Sequence, residues 1–167
     1  MQYKNGFLFV ECILFVGLIS LLAGLSFPLI GVLDRVLLRL EIDLLVNTIE
    51  AQRAMAVIDN KDIVITFDSK SNSYIVDSTT HVFSQSVSFL YPPNGYGPPS
   101  APTESIQKPI SFLHNQLVCF SNGAMSSGVV YIGSKKNSYF YALSSSIGEW
   151  GVLRLYLYGN NRWTKIQ

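Results

Sequence analysis

The chain has 167 residues, the length of one ordinary domain. It carries 12 Lys and Arg against 11 Asp and Glu, and this balance excludes a basic field that would by itself indicate nucleic-acid binding. Apolar residues make up 49% of the chain and concentrate in its first forty positions, which excludes a polytopic membrane protein.

The N-terminal segment consists of a short polar stretch followed by a long apolar run. Residues 1–6 contain one cation, Lys4, and about 27 residues from Phe7 to Leu33 contain one charge, Glu11. At 1.5 Å per residue, such a run is long enough to cross a hydrocarbon core of about 30 Å. A secretory signal has a shorter apolar region. The pattern therefore predicts a helix that is retained and spans a membrane.

Two residues stand out inside this run. Glu11 is an ionisable group in an apolar segment, which indicates either a functional role with a charged partner or a position near the membrane interface. Pro28 lacks a backbone donor and predicts a kink. Cys12 lies in the same run and Cys119 lies far from it, so both are expected to be free thiols because a disulfide needs Cα atoms within about 7 Å.

The stretch Gly6-Phe7-Leu8-Phe9-Val10-Glu11 resembles the class III signal of type IV prepilins and pseudopilins. That signal is a short basic leader ending in Gly, then Phe, with Glu four residues after the Phe; Pro28 also falls where these proteins commonly place a proline. The resemblance implies cleavage by a prepilin peptidase between Gly6 and Phe7 and N-methylation of Phe7. It also implies that Glu11 pairs with the N-terminal amine of a neighbouring subunit during assembly.

Beyond the apolar run, the pattern indicates an amphipathic continuation of the helix. Apolar residues recur at spacings of three, four and seven, the signature of one helix face, at Leu38, Ile42, Leu45, Ile49 and Ala56. Four further residues are expected to widen this stripe, namely Leu37, Leu44, Ala51 and Met55. The pair Asp59-Asn60 predicts the end of the helix.

The remainder predicts strands. Alternating segments at 62–68 and 73–77 are joined by a turn, and further candidates lie at 87–91, 110–113, 117–120, 128–133, 139–144 and 151–158. Residues 92–102 are rich in proline and predict an irregular loop, either a contact surface or a solvated insertion. The expected fold class is α+β and pilin-like: a long N-terminal helix, membrane anchor plus stalk, packed on an antiparallel β-sheet head.

A second resemblance lies in the head. The stretch from Glu50 to Ala56, with its Arg-Ala pair, and the stretch from Phe120 to Gly128 are similar to the helix end and the Phe-x-x-x-Gly segment of the GspH/FimT group of minor pseudopilins. The usual C-terminal Gly-Arg motif of that group is not evident at residues 147–151. The two resemblances divide the chain into a leader at 1–6, a transmembrane and assembly helix at 7–33, its amphipathic continuation at 34–58 and a β-rich head at 59–167.

No motif predicts catalysis, a cofactor or a metal site. The two histidines, His81 and His114, lack neighbours at metal-ligand spacing, so each is expected to be a surface or strand-edge residue. One binding pattern remains near the C-terminus, where three cations alternate with the aromatic residues Tyr156, Tyr158 and Trp163. The cations could bind phosphates while the rings stack on bases, and they are Arg154, Arg162 and Lys165.

The resemblance implies a minor pseudopilin, a structural subunit of a type II secretion pseudopilus rather than an enzyme. Its partners would be other pilins or pseudopilins, the prepilin peptidase and an inner-membrane assembly platform. Its location would be a bacterial inner membrane, with one span and a periplasmic head, before assembly into a filament. The alternatives are a FimT-like minor type IV pilin that binds DNA for uptake, and a protein with an uncleaved membrane helix and an unrelated head.

Overall fold

The structure is a computed structural model of the chain. It describes residues 4–93, 95–98, 103–135, 139–146 and 151–167. Within the N-terminal helix it describes side chains at 9–24 and 32–58, stretches of 16 and 27 residues.

The helix α1 extends over Lys4–Ile58 and ends where the sequence predicted. The amide of Asp59 still donates to the Met55 carbonyl at 2.8 Å, and Asn60 then turns the chain with a φ of 48°. Asparagine tolerates this left-handed conformation better than most residues, which explains the abrupt end.

The prediction of a membrane anchor as part of this fold is wrong. Among the helical residues that the structure describes, no segment is both long and apolar enough to cross a membrane.

Nine strands follow the helix among the described residues. Their bounds are β1 Ile63–Asp68, β2 Ser73–Val76, β3 Thr79–Val82, β4 Val87–Ser88, β5 Gln116–Cys119, β6 Gly128–Ser134, β7 Phe140–Ser146, β8 Val152–Gly159 and β9 Arg162–Lys165. The strands β3 and β9 were missed by the sequence analysis, and the segment at 110–113 contributes only a single bridge, between Ile110 and Val130. A short 3₁₀ turn occupies Leu113–Asn115.

The strands form two antiparallel sheets instead of the single sheet expected for the head. The first sheet has the order β3-β2-β1-β5, and the second has the order β4-β6-β7-β8-β9. Alternation of apolar residues identifies a strand but not the sheet to which it belongs. The chain crosses between the sheets before β4, before β5 and before β6. The last crossing uses residues 120–127, where the amide of Ser126 donates to the Val118 carbonyl and Gly128 then begins β6.

Both sheets pack against one face of α1. The predicted stripe is buried in full, because Leu38, Ile42, Leu45, Ile49 and Ala56 are each at most 1% exposed. Residues of both sheets complete this core, including Ile65, Phe67 and Leu117 of the first and Val130, Ile132 and Leu155 of the second. The expected widening of the stripe is wrong: Leu37, Leu44, Ala51 and Met55 are exposed, and Val46 is buried instead.

A second, smaller cluster lies on the other face of the second sheet. Its buried members are Tyr131, Ala142 and Tyr156, and the partly buried Tyr91, Ile106 and Trp163 pack against them. The indole nitrogen of Trp163 donates a 2.7 Å hydrogen bond to the Tyr96 carbonyl. The described parts of the proline-rich segment therefore contact the second sheet.

Candidate functional site

Before the head, the described part of α1 at residues 9–24 exposes apolar side chains all around the helix. We call these residues the N-terminal helix surface. Its large apolar side chains are between 55% and 68% exposed, and they include Phe9, Val10, Ile13, Leu14, Phe15, Val16, Leu18, Ile19 and Leu21. The consecutive residues 13–16 encircle a complete turn because each residue rotates the helix by about 100°. A helix that is apolar on every side is stable when other molecules or segments surround it.

Glu11 is the single charged residue of this surface. It lies one helical turn from Leu14 and Phe15, whose side chains share its face. The carboxylate of Glu11 forms no ion pair with any residue that the structure describes. A carboxylate on an apolar surface loses its water when that surface is covered, and it then needs a cation beside it.

The structure does not describe the side chains of the other residues in the predicted assembly motif. Gly6, Phe7 and Pro28 lie outside the residues whose side chains the structure describes. Cys12 is an exposed free thiol beside Glu11, whereas Cys119 is a buried free thiol in β5. Burial raises the pKa of Cys119 to about 11, which keeps this thiol protonated and unreactive at neutral pH.

The stalk half of the helix is fixed to the head by polar contacts in addition to the core. The carboxylate of Glu41 accepts a 2.9 Å hydrogen bond from the amide of Ser84. The guanidinium of Arg35 lies 4.1 Å from the centre of the Tyr139 ring, a cation–π contact. These contacts bind the helix to the connections before β4 and β7, so the head and residues 34–58 form one unit.

The structure does not bring the three predicted DNA-contacting cations together. In the register of β8 and β9, Tyr156 lies opposite Lys165 and Gly159 lies opposite Arg162. Because side chains alternate between faces, Arg154 and Lys165 share one face of the second sheet, and Arg162 belongs to the other.

The aromatic residues of this region take part in packing. Tyr156 is 5% exposed, and the rings of Tyr158 and Trp163 lie 5.0 Å apart, centre to centre. Phe140 contacts the Tyr158 ring from the neighbouring strand, at 6.2 Å between ring centres. DNA binding by this region stays a prediction.

Each histidine has a local structural role. His81 stacks on Tyr74 at 4.9 Å between ring centres, and His114 adopts a φ of 52° in the 3₁₀ turn. No cluster of three or more metal-ligating side chains occurs within the part of the chain that the structure describes.

Sequence reasoning missed one residue at the start of the docked helix. Asp34 is 7% exposed and precedes Leu38 by one turn, so it continues the buried stripe with a carboxylate. The signal was present in the spacing, because 34, 38, 42 and 45 lie on one helical face.

Comparison with known proteins yields no relative. No protein-family model matches the chain, no curated protein matches it, and no solved structure matches it.

Proposed function

We propose that this protein is a structural subunit that assembles with other subunits through its N-terminal helix surface, as a minor pseudopilin of a type II secretion pseudopilus. The observation that carries the proposal is the exposure of large apolar side chains on every side of residues 9–24, while residues 34–58 are docked on a head. Burial of apolar surface contributes about 25 cal/mol per Å², which favours association of such helices over exposure to water.

Glu11 supports the same proposal. A lone carboxylate on an apolar helix adds no stability to the isolated chain. It can nevertheless fix the register between packed helices, because each helix then aligns so that a cation of its neighbour lies beside the carboxylate. The partner cation that the sequence resemblance implies is the N-terminal amine of a neighbouring subunit after cleavage between Gly6 and Phe7. The prepilin peptidase and the assembly platform are the further partners in this proposal.

Intact-mass measurement and N-terminal sequencing of the protein from its native cells test the proposal. The expected product begins at an N-methylated Phe7, and cells that lack the prepilin peptidase provide the control, in which residues 1–6 are retained. A chain that keeps residues 1–6 in cells with an active prepilin peptidase would contradict the proposed class.

The assembly itself is measured separately by sedimentation of the processed chain. We expect large assemblies for the unchanged protein, and smaller ones for Glu11→Gln, which preserves side-chain shape and removes the charge. Equal sedimentation of the two proteins would show that Glu11 has no role in assembly.

A further inference from the structure

Arg35 differs from the other described arginines of α1 in having no carboxylate beside it. The other two form ion pairs within the helix, Arg39 with Asp43 and Arg53 with Glu50. Arg35 contacts the face of the Tyr139 ring, and it forms no ion pair or hydrogen bond with any residue that the structure describes. Stacking uses the flat face of a guanidinium and leaves the N–H groups at its rim free to donate. Arg35 therefore has donors available for a carboxylate of another molecule.

Glu11 is the charge that complements Arg35. It is the one charged residue of the N-terminal helix surface, and it has no ion pair among the described residues. Both residues lie on the single helix α1, where 24 positions separate them. That separation is about 36 Å at 1.5 Å per residue, whereas a salt bridge needs an oxygen and a nitrogen within about 4 Å. Glu11 and Arg35 can therefore pair only between copies of the chain.

The part of α1 around Arg35 also exposes apolar side chains. They are between 40% and 59% exposed, and they are Val32, Leu33, Val36, Leu37, Leu40 and Leu44. Exposed apolar residues gathered on one element indicate a surface that a partner covers. The N-terminal helix surface has the matching chemistry, so it can cover these residues while Glu11 lies beside Arg35.

The direction of the neighbouring helix follows from which residues need cover. In a parallel pair displaced by 24 positions, residues 9–24 of one copy lie level with residues 33–48 of the other. This arrangement covers Leu40 and Leu44, which are 58% and 50% exposed in the single chain. In an antiparallel pair, the same surface lies level with residues 22–37 and leaves both leucines in water. Parallel packing is therefore favoured, because it buries more apolar surface.

We infer that Arg35 of one copy forms a salt bridge with Glu11 of a second copy, with the two helices parallel and displaced by about 36 Å. The inference rests on the proposed function and deepens it, because it names a side chain that pairs with Glu11 during assembly. A carboxylate has two oxygens, so a guanidinium and the N-terminal amine of a neighbour can bind it together.

This contact repeats from copy to copy. Glu11 and Arg35 are different sites, so the contact is heterologous: one copy keeps a free Glu11 and the other keeps a free Arg35. A displacement along the helix axis prevents closure into a ring, because each added copy lies further along the axis. The pair therefore specifies a growing filament instead of a closed dimer.

A cycle of four processed full-length proteins tests the pair: the unchanged chain, Glu11→Gln, Arg35→Gln and the double variant. The protein concentration at which half of the chain sediments measures assembly. Arg35→Gln is expected to raise this concentration at least tenfold, because the covered Glu11 carboxylate loses its guanidinium. In the Glu11→Gln background, Arg35→Gln should have no further effect, since the pair is already lost. An equal loss in both backgrounds, or no loss in either, would overturn the inference.

Arg39→Gln is the matched control. Its guanidinium is already paired with Asp43 of its own copy, so the expected change in assembly is less than twofold in both backgrounds. The Glu11→Gln background also detects a purely structural role of Arg35, because loss of the Tyr139 contact would weaken assembly in both backgrounds alike. A loss that depends on Glu11 for Arg39→Gln but not for Arg35→Gln would assign the pair to the wrong arginine and overturn the inference.

The same measurements separate failure of this inference from failure of the proposed function. Assemblies that form in the unchanged chain, with additive effects of the two substitutions, overturn the inference and leave the proposed function standing. A closed dimer as the only assembly overturns the displaced, parallel arrangement. Absence of assembly in the unchanged chain overturns both.

Discussion

The guanidinium of Arg53 donates a 2.7 Å hydrogen bond from its Nε to the backbone carbonyl of Gly123, a residue 70 positions away in the sequence. Arg53 lies in the last turns of α1, and Gly123 lies in the connection between β5 and β6. Gly123 has a φ of 83°, a conformation that favours glycine, and it places its carbonyl against the last turns of α1. The contact joins the end of the helix to the connection between β5 and β6.

Replacement of Arg53 by alanine should destabilise the head. The Gly123 carbonyl loses a charged donor, a change typically worth about 1.5–3 kcal/mol. Arg39→Ala is the matched control, because Arg39 forms an exposed pair with Asp43 that contributes about 0.5 kcal/mol. Urea unfolding measures both free energies. Equal losses of unfolding free energy in the two variants would show that the Arg53 hydrogen bond contributes no more to stability than the exposed ion pair of Arg39.

Gly128 lies against an aromatic ring that leaves no room for a side chain. A Cβ atom at this position would be 2.6 Å from the Phe112 Cγ, so Gly128→Ala should cost about 1–3 kcal/mol in the free energy of unfolding. Gly159→Ala is the control, since a Cβ there meets no atom within 4 Å. Thermal unfolding of both variants checks the difference, and a similar midpoint for the two would contradict the packing described here.

Stability should fall in alkaline solution because of Cys119. Burial raises the pKa of this thiol in the folded chain to about 11 from an ordinary value of 9.0. The unfolded chain therefore loses the proton first as pH rises. The contribution is complete below pH 9 and is lost as pH approaches 11, a change of about 2 kcal/mol.

The variant Cys119→Ala should reduce the slope of unfolding free energy against pH in this range, and Cys12→Ala should leave it unchanged. Burial also raises the pKa of Tyr131 to about 12, so some slope persists above pH 10. Urea unfolding at several pH values measures the slopes. An identical slope for Cys119→Ala and the unchanged chain would be incompatible with a buried, protonated thiol.

The hydrogen bond from Trp163 to the Tyr96 carbonyl should hold residues 95–98 on the second sheet. Trp163→Phe retains an aromatic ring and removes the donor, a loss of about 0.5–1.5 kcal/mol. Amide hydrogen exchange at residues 95–97 should accelerate about tenfold in this variant, because about 1.4 kcal/mol corresponds to a factor of ten in an equilibrium constant. Tyr158→Phe retains the neighbouring ring and should leave exchange there unaltered. Unchanged exchange in Trp163→Phe would mean that the bond does not restrain the segment.

Charge on the N-terminal helix surface should prevent association without affecting the head. Ile13 is 56% exposed in the single chain, so Ile13→Lys costs nothing in folding but introduces an uncompensated cation between packed helices. Val82→Lys is the control, because Val82 is 67% exposed on the edge strand β3. We expect at least tenfold weaker assembly for Ile13→Lys alone. Equal assembly of both variants would exclude this surface as the interface.

Local patterns predicted much of the fold. The buried stripe from Leu38 to Ala56, the end of the helix before Asp59-Asn60 and the hairpin of β1 and β2 all follow from spacing of three to four or two residues and from turn chemistry. The two-sheet arrangement does not, because pairing between β5 and β1 depends on contacts about fifty residues apart. Asp34 was missed for a similar reason, since its burial depends on the segment at 84–86 and on Lys135.

The candidate site is harder to predict from the sequence. Glu11 lies on an exposed part of the helix, and its role in assembly stays a prediction, whereas the cations near the C-terminus are divided between two faces by the register of β8 and β9. The positions of strands are easier to predict from a sequence than their pairing register. A register shift of one residue moves every side chain of the strand to the opposite face of the sheet.

The docking of α1 determines where the smallest autonomous fragment can begin. Leu38, Ile42, Leu45 and Ile49 fill the space between the two sheets, so a fragment cut at residue 59 would leave Ile65, Leu117 and Leu155 facing solvent. Such a fragment should be prone to aggregation, although it contains every strand. A fragment for crystallisation or immunisation should therefore start before Asp34 and keep the last seven turns of the helix, which act as part of the head's interior.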